Sequence, residues 1–209
     1  MMYTLHMNTS LAWHGSLIVV LALNMCACAA RMNSLPVPFG RQEGRPVVMG
    51  FVDVQVHGPI TRIVPPYITF LELLNRQTRE RVFLTIQAPD SPFYIHLVPG
   101  DYLVTRVQVN EAGFRGMASL HHAFTVTDHP VQYLGHWHFA LASPTTIRRL
   151  SLSIESNLTQ AVADLLLRYP TLSSESVVPA LPVPLTGETR LFEITPYPRV
   201  WWYVRNPPT

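Results

Sequence analysis

Lysine does not occur in this 209-residue chain, and all 15 basic residues are arginine. That removes Schiff-base and lysine-nucleophile chemistry. Cysteine is nearly as scarce: Cys26 and Cys28 are the only two, and both lie close to the N-terminus. A domain built from the later residues therefore has no disulfide, no thiolate metal site and no cysteine nucleophile. Charge is also thin, 15 basic residues against 13 acidic for a net +2. The basic stripe that grips nucleic acid is missing, so no nucleic-acid partner is expected. A Gly-x-Ser-x-Gly elbow, an HExxH helix and a Gly-rich phosphate loop are all absent. Asp53, Asp101 and Asp128 are scattered, with no spacing that pairs them. No catalytic residue, metal ligand or cofactor is assigned from the sequence, and the chain is not expected to be an enzyme. A hydrolase whose groups meet only in space remains the enzymatic alternative.

What the chain does have is 48% hydrophobic residues, enough at this length to bury one good core. From Ser16 it reads SLIVVLALNMCACAA. The apolar part runs for about a dozen residues, the length of a signal-peptide core and short of the roughly 20 that span a bilayer. Ahead of it stand only the α-amine, His6 and His14 as basic groups, whereas signal peptides usually carry Lys or Arg there. The end of the stretch resembles the lipobox of bacterial lipoproteins. Cys28 has Met25 three residues before it and the small Ala27 adjacent, while Cys26 has Leu23 but the bulky Met25 adjacent. Cys28 is thus the expected lipidation site, with simple cleavage after Ala29 or Ala30 as the alternative. Acyl chains at Cys28 would hold the protein on a membrane without a transmembrane helix. Ala29 behind the cysteine resembles the outer-membrane sorting pattern. The expected location is the cell envelope, as an exported outer-membrane or periplasm-facing lipoprotein. Residues 29–45, with Pro36, Pro38, Gly40 and Gly44, read as a flexible tether.

Between Pro46 and Glu155 short apolar alternations are broken by turn residues, the pattern of an all-β domain. Val48, Val52, Val54 and Val56 share one face of a first strand. Val82, Leu84 and Ile86 alternate with polar neighbours, as do Phe93, Ile95 and Leu97. Val98-Pro99-Gly100-Asp101-Tyr102 marks a tight turn, and 103–109 is expected to return as the second strand of a hairpin. Strict alternation places Tyr133, Gly135, Trp137, Phe139 and Leu141 on one face of a later strand, and Gln132, His136 and His138 on the other. Leu150, Leu152 and Ile154 close the series.

The run FYIHLVPGDYLVTRVQV resembles the strand, Pro-Gly-x-Tyr, strand element of carboxypeptidase-regulatory-like and transthyretin-like (prealbumin-like) β-sandwiches. The later PVQYLGHWHFAL is similar to a strand of uncharacterised bacterial envelope lipoproteins that carry such sandwiches. The resemblance covers about 100 residues, 47–154, and implies a non-enzymatic accessory or surface module. It brings no catalytic residue with it.

One helix follows. Leu158, Ala161, Val162, Leu165, Leu166 and Tyr169 recur at spacings of three and four, an apolar stripe that must dock on the sheet. Asn157 with Gln160 resembles a capping box, Asp164 and Arg168 stand one turn apart, and Pro170 ends the helix. Residues 171–209 hold Pro179, Pro182, Pro184, Pro196, Pro198, Pro207 and Pro208, and read as an extended tail with short strands near 191–194 and 200–204.

The expected architecture is mainly β: a single antiparallel β-sandwich, prealbumin/Ig-like, with one C-terminal amphipathic helix packed on it. Its divisions are a signal and lipobox segment 1–28, a tether 29–45, a domain 46–178 with its helix at about 157–169, and a Pro-rich extension 179–209. The expected role is a non-catalytic structural or interaction module, touching the membrane through its anchor and another envelope protein. The alternative is a periplasmic module for a metal or small ligand. His136 and His138, two apart on a strand, project to the same side, with His121 and His122 in a preceding loop, and zinc accepts such nitrogens. Against that, they suit the wet face of a sheet. Trp201, Trp202 and Tyr203 would be core residues or an exposed platform. Arg76, Arg79 and Arg81, beside Glu80, and the pair Arg148 and Arg149 would be solvated charges or headgroup contacts.

Overall fold

The computed structural model describes residues 30–35, 44–57, 65–111, 114–142, 149–170, 172, 177–185 and 189–193. Cys26, Cys28, Arg148 and the Trp201-Trp202-Tyr203 run lie outside them. The strands are β1 (Ala30–Asn33), β2 (Val47–His57), β3 (Tyr67–Asn75), β4 (Arg81–Ala88), β5 (Asp90–His96) and β6 (Gly100–Glu111). They continue with β7 (Phe114–Val126), β8 (Val131–Ala142), β9 (Arg149–Glu155), β10 (Val177–Pro179), β11 (Val183–Pro184) and β12 (Thr189–Glu193). The helix α1 (Leu158–Arg168) stands between β9 and β10.

The chain is mainly β, in two mixed sheets with this one short helix. The first sheet runs β1-β4-β3-β6-β7, and the second runs β9-β8-β2-β5. β12 joins them: Leu191 to Glu193 pair with β7, while Thr189 and Arg190 pair with β9. Most neighbours are antiparallel, but β1 with β4, β2 with β8 and β10 with β8 run parallel. β1 sits inside the segment read as a tether. It docks because Ala30 to Asn33 take the open edge of β4, and Leu35 N–H then donates to Tyr94 O at 2.7 Å.

The largest core cluster draws on both sheets. Val48, Val52, Phe93, Ile95, Trp137 and Phe139 of the second pack with Ile68, Leu71, Leu84, Val104, Val107 and Val109 of the first. Trp137 is fully buried, meets Phe93 edge-on at 6.2 Å, and donates from Nε1 to Leu134 O at 2.9 Å. The indole therefore enters the core with its one donor satisfied. Val48, Val52 and Val54 of β2, Val82, Leu84 and Ile86 of β4, and Phe93 and Ile95 of β5 join this core at the alternation expected of them. Among the strands, Glu72 is a buried acid, held by Arg106 at 2.6 Å, Arg81 at 3.3 Å and the Thr105 hydroxyl at 2.9 Å.

Three local expectations are corrected. Pro99-Gly100 does not close a hairpin: β5 pairs with β2 and β6 pairs with β3 and β7, so this turn carries the chain from one sheet to the other. Gly100 has φ +151°, a conformation glycine supplies at little cost. In β8 the alternation breaks at a bulge. Met49 pairs with Tyr133 but Phe51 pairs with His136, so the β8 side has one extra residue, and Gly135 absorbs it at φ +94°. Leu134 and Trp137 consequently face the main core, while Tyr133 turns to the opposite face and joins His136 there. His121 and His122 lie in strand β7 of the first sheet, not in a loop.

On that opposite face α1 docks. Leu165 is fully buried, and Tyr169 with Leu158, Ala161 and Val162 packs on Val47, Met49, Tyr94, Val131 and Tyr133. Burying one leucine of this kind is worth about 2 kcal/mol. The helix start differs from the capping-box reading. Asn157 makes no side-chain cap bond, and Gln160 Nε2 instead donates to Asp164 Oδ1 at 3.0 Å. Asn157 N–H is taken up by the Tyr133 hydroxyl at 3.3 Å, so the sheet supplies the acceptor. Arg168 lies over the Tyr94 ring, 5.6 Å from its centre, and its charge also suits the C-terminal end of the helix.

Candidate functional site

The helix-bearing face of the second sheet collects the polar side chains that the core excludes. Phe51 and Asp53 alternate on β2, and His136 and His138 alternate on β8. Because the two strands run parallel, Phe51 lies opposite His136 and Asp53 opposite His138. On the other flank of β8, Glu155 of β9 lies opposite His136.

The four polar groups converge. His138 Nδ1 is 2.9 Å from Asp53 Oδ1 and 3.0 Å from Oδ2. His138 Nε2 is 3.7 Å from Glu155 Oε2, and His136 Nε2 is 3.9 Å from Asp53 Oδ2. The two imidazoles stack with centroids 4.1 Å apart and planes 25° apart, and Phe51 meets the His136 ring edge-on at 4.4 Å. Gln55 Nε2 donates to Asp53 Oδ2 at 3.3 Å. Asp53 and His138 are about four-fifths shielded from solvent, whereas Glu155 is open. His136 Nε2 is buried and has no hydrogen-bond partner among the described residues. Burial pulls the His136 pKa below the usual imidazole value, and neighbouring His138 pulls the same way against Asp53 and Glu155.

Beside this cluster the sheet and α1 leave a cavity of about 280 Å³. Met49, Phe51, Tyr94 and Tyr133 form its apolar wall, and His136, Asn157, Gln160 and Asp164 form its polar rim. It exists because α1 starts at Leu158, past the end of β9, and lies over Tyr94 and Tyr133 rather than over Phe51 and His136.

The sequence singled out His136 and His138 and the side to which they point, and the structure keeps them together. It does not bring His121 and His122 to them; His122 is buried in the other sheet, where desolvation and His121 lower its pKa. Asp53, which spacing alone left scattered, is the group the sequence reading missed. Its signal was parity: it stands on β2 in alternation with the inward valines, so it had to face outward, but only the parallel pairing with β8 says opposite what. Arg76 and Arg79 sit in the β3–β4 turn, Arg79 at φ +63°, and Arg81 pairs with Glu72. No protein-family model, no curated protein and no solved structure matches the chain.

Proposed function

We propose that this chain is a non-catalytic binding module of the bacterial cell envelope. It is exported behind residues 1–28, held at a membrane through acylated Cys28, and takes a small, largely apolar ligand between α1 and the second sheet. The carrying observation is the cavity of about 280 Å³, which has an apolar wall and a few convergent polar groups, the usual make-up of a small-ligand site. The sandwich reading, prealbumin/Ig-like, draws support from a core cluster shared by both sheets. Export and anchoring rest on the apolar segment that ends in Cys28.

Two substitutions test it. Cys28→Ser should move the protein from the membrane fraction to the soluble one, and unchanged fractionation would remove the anchor. Ala161 lines the cavity from the helix, so Ala161→Trp should fill it. Wild-type protein should enhance and blue-shift the emission of a neutral solvatochromic dye such as Nile red, and the Ala161→Trp protein should lose most of that signal while keeping its circular dichroism. Equal signals from both proteins would remove the cavity as the binding site.

A further inference from the structure

We propose that Asp53, His136 and His138 form a mononuclear site for a transition-metal dication of the zinc class. The donor set is the first reason: two imidazole nitrogens and one carboxylate oxygen suit zinc and its neighbours, while calcium wants six to eight oxygens. One donor atom from each residue can be chosen so that all lie within 4.8 Å of one another.

Geometry is the second. Zinc bonds of 2.0–2.1 Å to nitrogen or oxygen put neighbouring donors of a tetrahedron about 3.3 Å apart. To the one oxygen Asp53 Oδ2 the separations here are 3.0 Å from His138 Nδ1 and 3.9 Å from His136 Nε2, one slightly short and one long. Small rotations of the Asp53 carboxylate and of the His136 ring bring both toward that value, and the His136 ring must also close on His138. The backbone frame already brings the three donors together, because Asp53 and His138 are paired across β2 and β8. The two imidazoles are stacked with planes 25° apart, so an ion that takes both must turn one ring out of the stack until the two lone pairs meet on it.

The outer partner is the third. When a metal takes Nδ1 of His138, its proton must sit on Nε2, and the exposed Glu155 side chain, whose Oε2 is 3.7 Å away, needs only a small turn to come within hydrogen-bond distance and accept it. Metal-ligating histidines commonly hand their second N–H to a carboxylate in this way. In the metal-free protein the same Asp53 to His138 contact is a hydrogen bond, so metal entry replaces the shared proton. Three protein donors leave a fourth position for water or an exogenous ligand.

The test uses the full chain, solubilised from membranes, stripped with chelator and titrated with zinc chloride by calorimetry. One equivalent should bind, calcium chloride should give no heat, and cobalt(II) should give visible ligand-field bands typical of four or five nitrogen and oxygen donors. Asp53→Asn, His136→Gln and His138→Gln should each weaken zinc at least about tenfold, and Glu155→Gln by up to about tenfold. His121→Gln, a surface change on the other sheet, should leave the affinity unchanged. The cobalt spectrum is read on the unaltered protein, so it stands even if a variant folds poorly. Failure of the wild type to take up stoichiometric zinc, variants that bind as tightly as wild type, or calcium that competes with zinc would each overturn the site. His136 borders both sites, so zinc is titrated without dye, and the Nile red signal of the Ala161→Trp protein reports the cavity separately.

Discussion

At the scale of single residues, Gly135 has the widest reach. Its φ of +94° lets β8 carry an extra residue, and the bulge is what turns Tyr133 and His136 to the same face. A Cβ at this position would lie 2.7 Å from Ile154 Cγ2 and 2.8 Å from Leu181 Cδ2. Gly135→Ala should therefore cost about 2–3 kcal/mol, from the positive φ and the crowding together. Urea unfolding should show a lower midpoint with an unchanged slope. His122 carries a second residue-level prediction. Burial lowers its folded-state pKa below the ordinary 6.5, so as pH falls through about 6.5 the unfolded chain takes a proton that the folded chain refuses. Stability from this group is complete above that pH and declines below it. Thermal unfolding measured between about pH 7 and pH 5 should fall less steeply for His122→Gln than for wild type. The residue pattern made the inward faces of β2, β4 and β5 legible, because alternation is a property of each strand alone. It failed at Gly135, because a bulge changes the parity without changing the composition.

At the scale of elements, α1 was the most legible part, since its stripe needs no knowledge of its partner. The sequence placed it at about 157–169, and the helix spans Leu158–Arg168. Its cap was not legible, because the acceptor for Asn157 N–H is the Tyr133 hydroxyl from another element. The strands β3 and β7 carry no simple alternation in the sequence. Runs such as TFLEL in β3, with buried Glu72 among apolar residues, break simple alternation, and what makes Glu72 tolerable is Arg81 and Arg106 on neighbouring strands. The Pro99-Gly100 turn has the chemistry of a local hairpin but connects two sheets, a distinction that pairing partners decide and turn chemistry does not. Leu165 is the only fully buried side chain of α1 among the described residues, so Leu165→Ala should destabilise the protein by about 2–4 kcal/mol in chemical denaturation. Because Leu165 packs in the cluster beside the cavity, the same variant should also weaken Nile red emission, whereas a helix that contributes nothing to the cavity would leave the dye signal unchanged.

At the scale of the whole molecule, the proposed anchor and the arrangement of the sheets together set what the protein can touch. Ala30 opens β1, so Ala29 alone separates Cys28 from the first sheet. If Cys28 carries the acyl chains, that spacing places the edge of the first sheet within roughly 10 Å of the bilayer surface, far closer than a free tether of 17 residues would. The second sheet, with its helix, cavity and histidine cluster, is joined to the first through β12. The candidate site was half legible for the same reason throughout: strand parity shows which side a histidine takes, and only the parallel pairing of β2 with β8 brings Asp53 beside it. The most direct measurement is an anomalous difference map, at the zinc edge, of the full chain crystallised with zinc. The account predicts one strong peak about 2.0–2.2 Å from Asp53 Oδ, His136 Nε2 and His138 Nδ1. A map in which those three side chains keep their metal-free contacts, with zinc elsewhere or nowhere, would contradict it.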